Sequence, residues 1–369
     1  MYLKHISISN FKNLAQVDAY FSPVLNCFVG DNGEGKTNLL DAIYYLSMCK
    51  SYFLTSDTQN IRNSEPFFMV KGDYKRNDAD EQISCGMKRA GGKSFKRNSK
   101  EYDRLSEHIG FIPLVMITPS DTSLINDGGE ERRKYINMVI SQTDREYLDS
   151  LVRYNHALQQ RNKLLKSNPD RELIEVLNMQ LSDYGRVIYN KRKVLVENLI
   201  PVFQDVYNTV SGSKEEVSLG YKSDLENEDL QILLEQNYDR DRILQYTTVG
   251  IHRDDLNMTL NGRSIRKSGS QGQQKTYLVA LKMAQFHLIK QNAGVPPILL
   301  LDDIFDKLDP GRVEMLIKLV AGNGFGQIFL TDSNKTRLDH LLERIAGDFC
   351  LFTVKNGEIT NLNSSYAPQ

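Results

Sequence analysis

The stretch Gly30-Asp31-Asn32-Gly33-Glu34-Gly35-Lys36-Thr37 constrains the fold most, because it fits GxxxxGK[ST] between a strand-like and a helix-like segment. Residues 24–29 read as a strand, and residues 38–48 place Leu39, Leu40, Ile43 and Leu46 at helical spacing. Glycines let such a loop bend so that successive N–H groups converge on phosphate oxygens, and the helix that follows adds its N-terminal dipole. Gly30 through Asn38 are therefore expected to cradle the phosphates of ATP, with Lys36 on the β- and γ-phosphates and the Thr37 hydroxyl on Mg²⁺. Alone, this motif says only that a nucleotide binds.

A second acidic site comes late in the chain. Ile298-Leu299-Leu300-Leu301-Asp302-Asp303 reads as an apolar strand ending in paired carboxylates. Asp302 stands where a carboxylate would hold Mg²⁺, and Asp303 where a general base would polarise the attacking water, so Asp303 and Lys36 are the candidate catalytic residues. A strand running into an Asp-capped helix is the structural alternative, and it accounts for one Asp better than for two.

Between these sites lies Ser268-Gly269-Ser270-Gln271-Gly272-Gln273-Gln274, followed by an apolar-faced helix over residues 276–289. Ser270, Gln271, Gly272 and Gln273 at a helix N-terminus resemble the signature sequence of ABC ATPases, although the same residues serve as ordinary helix caps. In that group the signature presses on the γ-phosphate held by the opposite subunit. Lys307-Leu308-Asp309 matches a D-loop. Residues 327–330 form a strand ending in Thr331-Asp332, where transporter ATPases carry a sensing histidine; none follows here.

The rest of the chain frames these motifs. Tyr2, Ile6 and Ile8 alternate with polar residues, predicting an edge or half-buried strand. Residues 67–104 read as strands and hairpins, and 111–117 as a buried strand. From about residue 130 the pattern turns helical: Leu151, Leu158 and Leu165 recur at seven-residue steps, with Tyr147 and Tyr154 on adjoining positions. Ser167-Asn168-Pro169-Asp170 breaks that run, and a second amphipathic segment follows from Arg171 to about Val202. A short antiparallel coiled-coil arm and an ordinary helical subdomain both fit. One helix is expected over 224–242, strands over 246–249 and 256–260, and a hairpin turn at Asn261-Gly262. The expected fold is α/β: an ABC-type ATPase head, a phosphate-loop sheet flanked by helices, with a mainly helical second domain. Its lobe I comprises residues 1–125 and 285–369, and lobe II, with the arm and the signature, residues 126–284.

With the motifs in this order, the chain resembles the RecF family within the wider SMC and ABC ATPase group. Asn10-Phe11-Lys12-Asn13, Pro119-Ser120-Asp121 and Gly128-Gly129-Glu130-Glu131-Arg132-Arg133-Lys134 resemble RecF segments. So do Tyr154-Asn155-His156-Ala157-Leu158-Gln159-Gln160-Arg161-Asn162 and Gly250-Ile251-His252-Arg253-Asp254-Asp255. Little specific lies in 205–245 or in the tail. The resemblance implies ATP and Mg²⁺ as cofactors, slow DNA-stimulated hydrolysis and ATP-dependent homodimerisation on double-stranded and gapped DNA. It also implies cooperation with RecO and RecR in loading RecA.

The net charge of −1 advertises no nucleic acid partner, so DNA contacts must come from local patches. Lys88, Arg89, Lys93, Lys96, Arg97 and Lys100 surround Gly91-Gly92, opposed nearby only by Glu101 and Asp103. They read equally as a phosphate-gripping hairpin and as a solvated basic loop. Arg132-Arg133-Lys134 and Lys191-Arg192-Lys193 read as helix surface first and as DNA contacts second. Four scattered cysteines, with no CxxC and no clustered histidines, speak against disulfides and structural zinc. With no signal-peptide pattern and no apolar run near the roughly 20 residues of a membrane helix, a cytoplasmic location is expected.

Other functions fit less well. A transporter ATPase subunit usually carries a Gly-Gly signature and a shorter insert. An OLD-type nuclease needs a further domain after Asp302. A clamp with negligible turnover stays open, because Asp303 is shorter than the usual glutamate base. His252-Arg253-Asp254 looks like a kinase catalytic loop, but Thr259 stands where that loop needs Asn. A hydrogen-bonded turn near the nucleotide or a subunit interface is the expectation for it.

Overall fold

A computed structural model describes residues 1–366 apart from 168–169, 213–214, 307, 323 and 345–346. In chain order come β1 (Tyr2–Phe11), β2 (Leu14–Tyr20), β3 (Leu25–Val29), α1 (Lys36–Met48), β4 (Phe67–Arg76), β5 (Ala79–Lys88), β6 (Lys93–Arg97), β7 (Lys100–Glu101) and β8 (Leu114–Ile117). Then follow α2 (Ser123–Asn126), α3 (Gly129–Ser141), α4 (Arg145–Leu165), α5 (Arg171–Ser211), β9 (Val217–Lys222), α6 (Leu230–Gln236) and α7 (Tyr238–Leu244). The chain ends with β10 (Asp255–Leu260), β11 (Arg263–Ser264), α8 (Ile265–Ser268), α9 (Gln271–Ala293), β12 (Ile298–Asp302), α10 (Pro310–Ala321), β13 (Ile328–Asp332), α11 (Lys335–Leu342), β14 (Phe349–Lys355) and β15 (Glu358–Ser364). Two compact units result, Met1–Asp121 with Gln285–Gln369, and Thr122–Ala284.

The first unit holds two sheets. One is a six-stranded sheet in the order β15-β14-β3-β13-β12-β8, parallel except for β15. Its strands β3, β12 and β13 are wholly buried, as their mainly apolar sequences suit a sheet covered on both faces. Phe21, Phe28, Phe329 and Phe352 pack edge-to-face and stacked, with ring centroids 5.0–6.4 Å apart. The other sheet, β2-β1-β4-β5-β6-β7, is antiparallel. Helix α1 packs against both sheets and is buried on almost every face. β1 lies between β2 and β4, so it is half-buried as expected but not an edge strand. The strand expected over 111–117 is confined to β8, after Pro113.

The second unit centres on an antiparallel pair, α4 against α5. Arg192 Nε donates to the Tyr147 hydroxyl, Gly185 faces the ring of Tyr154, and Arg161 Nε donates to Asn178 Oδ1. Tyr147, Tyr154 and Arg161 rise in steps of seven while Arg192, Gly185 and Asn178 fall in steps of seven, an antiparallel heptad register. The buried stripe of α4 thus mixes polar side chains with Ala157 and Leu165, whereas Leu151 and Leu158 lie beside it, only half-buried. Asn168 and Pro169 of the expected break lie outside the described residues.

Helix α5 continues through Pro201 to a left-handed Gly212 cap, because Leu199, Phe203, Val206 and Tyr207 keep its buried face intact. The single helix expected over 224–242 is two, α6 and α7, divided at Asn237. Residues 246–249 form no strand; Thr247 and Thr248 are drawn into the buried Arg161–Asp241 cluster instead. A three-stranded sheet, β11-β10-β9, completes the unit, and the Asn261-Gly262 turn has both φ angles positive, as its sequence demands.

Candidate functional site

The phosphate loop leaves the C-terminal end of β3, where sterics govern its sequence. A Cβ on Gly30 would lie 2.3 Å from the carbonyl oxygen of Val354, so β14 admits no side chain there. Gly33 and Gly35 have φ of 89° and 117°, in the left-handed region that glycine occupies freely. The loop is braced from two sides. Asn13 Nδ2 donates to the Gly33 carbonyl at 3.3 Å, and Asn13 Oδ1 accepts from Asn38 Nδ2 at 2.7 Å. From the β14–β15 turn, the Gly357 N–H donates to the Glu34 carbonyl at 2.8 Å and the Asn356 N–H to the Glu34 carboxylate. Asp31 and Asn32 remain exposed.

The Lys36 ammonium donates to the carbonyls of Gly30 and Asp31 at 2.7 and 3.0 Å, which folds it back over the loop. Beside it the Thr37 hydroxyl donates to both carboxylate oxygens of Asp302, at 2.9 and 3.0 Å. Parallel pairing carries β12 and β13 side by side, so Thr331 lies opposite Asp302 and its hydroxyl donates to Asp302 Oδ1 at 2.8 Å. Burial pushes the Asp302 carboxyl up to about 6; the Thr331 and Thr37 hydroxyls oppose that shift, and Asp303 reinforces it. A hydroxyl and a buried carboxylate converging as hard oxygen donors, with the carboxylate short of positive charge, fit Mg²⁺.

Asp303 follows with φ 44°, a left-handed conformation that Asp tolerates better than most residues. Its N–H donates to Thr331 Oγ1 at 3.0 Å. Thr331 thus orients both acidic residues, a role its sequence position alone did not reveal. Asp332, at the sensing-histidine position, is buried and accepts from Arg337 Nη2 at 2.9 Å.

The family model described as "RecF/RecN/SMC N terminal domain" matches residues 2–347. "DNA replication and repair protein RecF" of Parabacteroides distasonis is 54% identical over 360 residues, 97% of this chain and 99% of that protein. The protein of the same name from Flavobacterium johnsoniae is 45% identical over 96% of this chain and 100% of its own length. The chain belongs to the RecF family of DNA replication and repair proteins. A solved structure described as "the recombination mediator protein RecF-ATP in RecFOR pathway" shares 30% identity and superposes with a TM-score of 0.88, covering 98% of both chains. An Smc head domain from Pyrococcus furiosus, 18% identical with a TM-score of 0.58 over 98% of this chain and 96% of its own, shares the fold. An ABC-type head with mixed sheets and helices is thus the fold of this RecF-family chain, as its motifs predicted.

The signature residues of this RecF-family chain lie in its second unit. Ser270 Oγ accepts from the Gln273 N–H at 3.3 Å and Gln273 Oε1 accepts from the Ser270 N–H at 2.7 Å, a reciprocal cap on α9. Gln271 and Gly272 form the first turn behind it. Lys307 of the expected D-loop lies outside the described residues; Asp309 caps α10 by accepting from the Arg312 N–H.

The basic hairpin divides into side chains with internal partners and side chains that stay exposed. Lys93 is half-buried, donating to the Cys49 carbonyl and pairing with Asp57 at 3.0 Å. Arg97 makes a two-pronged contact with Glu81 and stacks over Phe111, 4.0 Å from the ring centre. Arg89 donates to the carbonyls of Glu65 and Arg62, and Lys96 is half-buried, so Lys88 and Lys100 are the exposed remainder without such contacts among the described residues.

In the other basic clusters Lys134 and Lys193 are exposed on their helices, as expected, while the arginines have partners within the second unit. Arg132 pairs with Asp255 and Arg133 donates to the Asp254 carbonyl. Arg192, expected on a helix surface, is wholly buried and pairs with Asp254 at 2.6 Å. His252 joins the Tyr154 hydroxyl to the Thr247 carbonyl, so His252-Arg253-Asp254 is the hydrogen-bonded turn its sequence suggests, set inside the helical unit.

Proposed function

We propose that this RecF-family chain is a slow, DNA-stimulated ATPase that closes as a homodimer on double-stranded and gapped DNA and reopens on hydrolysis. The observation that carries this reading is the convergence of Thr37 on Asp302 beside Lys36, with Asp303 next along the chain. Gly30 through Asn38 would hold the triphosphate, with Lys36 transferring its hydrogen bonds from the loop carbonyls to the β- and γ-phosphates. Mg²⁺, held by Thr37 and Asp302, would neutralise charge on the phosphoryl oxygens. Asp303 accepts a proton from the attacking water.

Ser270, Gln271, Gly272 and Gln273 contact the γ-phosphate held by the partner subunit, so two ATP molecules close two sites. The unit Met1–Asp121 with Gln285–Gln369 serves as lobe I and Thr122–Ala284 as lobe II. RecO- and RecR-type mediators are the partners, and RecA loading at gaps in the cytoplasm the outcome; a RecF relative described within the RecFOR pathway supports this.

Mixing two defective variants tests the trans arrangement. Lys36→Ala loses ATP binding, while Ser270→Arg binds ATP but does not dimerise. Together they should regain partial, single-site ATPase activity, one chain supplying the signature and the other the phosphate loop. Full activity of Ser270→Arg alone would sink the dimer mechanism.

A further inference from the structure

The three-stranded sheet of the second unit carries a basic face that no motif accounts for. Lys222 ends β9, and Arg266 and Lys267 lie on α8; all three are exposed and line one open concavity of about 670 Å³. None of the three makes an ion pair with a described residue, whereas Arg132 in the same lining is neutralised by Asp255. Unpaired cations gathered on one concave face raise the local potential and favour a polyanion.

The lining also narrows the class of polyanion. Its apolar members, Ile125, Leu256, Met258 and Ile265, are buried, so the exposed rim offers polar groups and no apolar anchor for a peptide side chain. Its one aromatic residue, Tyr221, is committed: the ring stacks on Tyr189 at 5.9 Å and the hydroxyl donates to Asp254. Base stacking, the hallmark of single-strand grooves, has no free platform there. Cations without stacking or apolar pockets suit the phosphate backbone of a duplex.

We propose that Lys222, Arg266 and Lys267 form a docking site for the backbone of double-stranded DNA, placed to act on the signature. This rests on the DNA-dependent reading above and gives it a location. The link to the signature is short and stiff. The Gly269 N–H donates to the Ile265 carbonyl at 2.9 Å, and a Cβ on Gly269 would meet that oxygen at 2.8 Å. Gln274 Nε2 donates to the carbonyls of both Ile265 and Gly269, at 3.3 and 3.2 Å. Phosphates seated on α8 therefore bear on the residue that precedes Ser270.

The test uses the full chain with ATP and Mg²⁺ and a blunt duplex of about 30 base pairs, titrated across a salt series. Lys222→Glu/Arg266→Glu/Lys267→Glu should bind at least about tenfold more weakly, with a log–log salt slope shallower by about 2 to 3. The milder Lys222→Gln/Arg266→Gln/Lys267→Gln, with its melting temperature checked, guards against misfolding and should show the same trend. Lys88→Glu/Lys100→Glu on the β5–β7 hairpin should weaken binding less. Unchanged affinity and slope in both triple variants would overturn the assignment. So would intact duplex binding joined to lost binding of a poly-glutamate peptide, which would make this a protein-docking face. If the wild-type chain itself failed to bind the duplex, the DNA-dependent reading would fall first, and this site with it.

Discussion

The Thr331 hydroxyl donates to Asp302 Oδ1 at 2.8 Å while its oxygen accepts the N–H of Asp303 at 3.0 Å. One side chain on β13 thereby fixes the carboxylate proposed for Mg²⁺ and the backbone of the proposed base. Thr331→Val keeps the shape and removes a hydrogen bond to a charged group, worth about 1.5–3 kcal/mol. Roughly tenfold more Mg²⁺ should then be needed for half-maximal ATP binding, with Thr331→Ser restoring most of the loss. An unaltered Mg²⁺ titration would show that Thr331 only packs.

Asp303→Asn separates charge from backbone geometry, since Asn accepts φ near 44° as readily as Asp. ATP binding should persist, turnover should fall by about 100-fold or more, and dimers on DNA should accumulate. Turnover at the wild-type rate would place the base elsewhere.

Gly30→Ala drives a methyl group into the backbone of β14, 2.3 Å from the Val354 oxygen. Because backbone cannot swing aside as a flexible side chain can, the loop must shift. ATP affinity is expected to drop at least about tenfold, with a stability cost of about 1–3 kcal/mol by overpacking. Nucleotide titration and thermal melting read the two effects.

Arg192→Ala removes the cation paired with the buried Asp254 carboxylate and leaves it neutral hydroxyl partners, Tyr221 among them. Breaking such a pair costs about 3–5 kcal/mol. Urea unfolding should show that loss. A change under about 1 kcal/mol would mean water reaches Asp254 and relieves it.

Acid should weaken both units through buried histidines. Desolvation pushes His108 and His252 each down to about 4, so folding favours their neutral forms. The unfolded chain takes up these protons first, near its unperturbed value of about 6.5, so stability falls as pH drops from there towards 4 and this contribution then levels off. At about pH 5.5 each histidine costs on the order of 1 kcal/mol. His252→Gln should flatten part of the melting-temperature profile over that window.

Contiguous residues carried most of what could be read in advance. Loop glycines, Lys36, Thr37 and the apolar run into Asp302-Asp303 act through local backbone geometry, and adjacency along the chain expresses that fully. Periodicity likewise foretold the helical insert and most of the strands. It misplaced the heptad stripe, because Tyr147, Tyr154 and Arg161 are buried with hydrogen bonds to Arg192, His252 and Asp241 that hydrophobic spacing does not register.

Partners far apart in sequence were settled only by folding. Thr331 reaches Asp302 through parallel strand pairing, and Asn13 and Gly357 reach the phosphate loop from other hairpins. Charges depended on folding most. Lys93, Arg97 and Arg192 look like free cations in the chain, yet each is neutralised by a carboxylate at least 16 residues away. Lys222 and Arg266–Lys267, separated by more than 40 residues, share one face. A charge binds outward only where the fold leaves it unpaired, and pairing is a property of distances in space, which fall off independently of order along the chain.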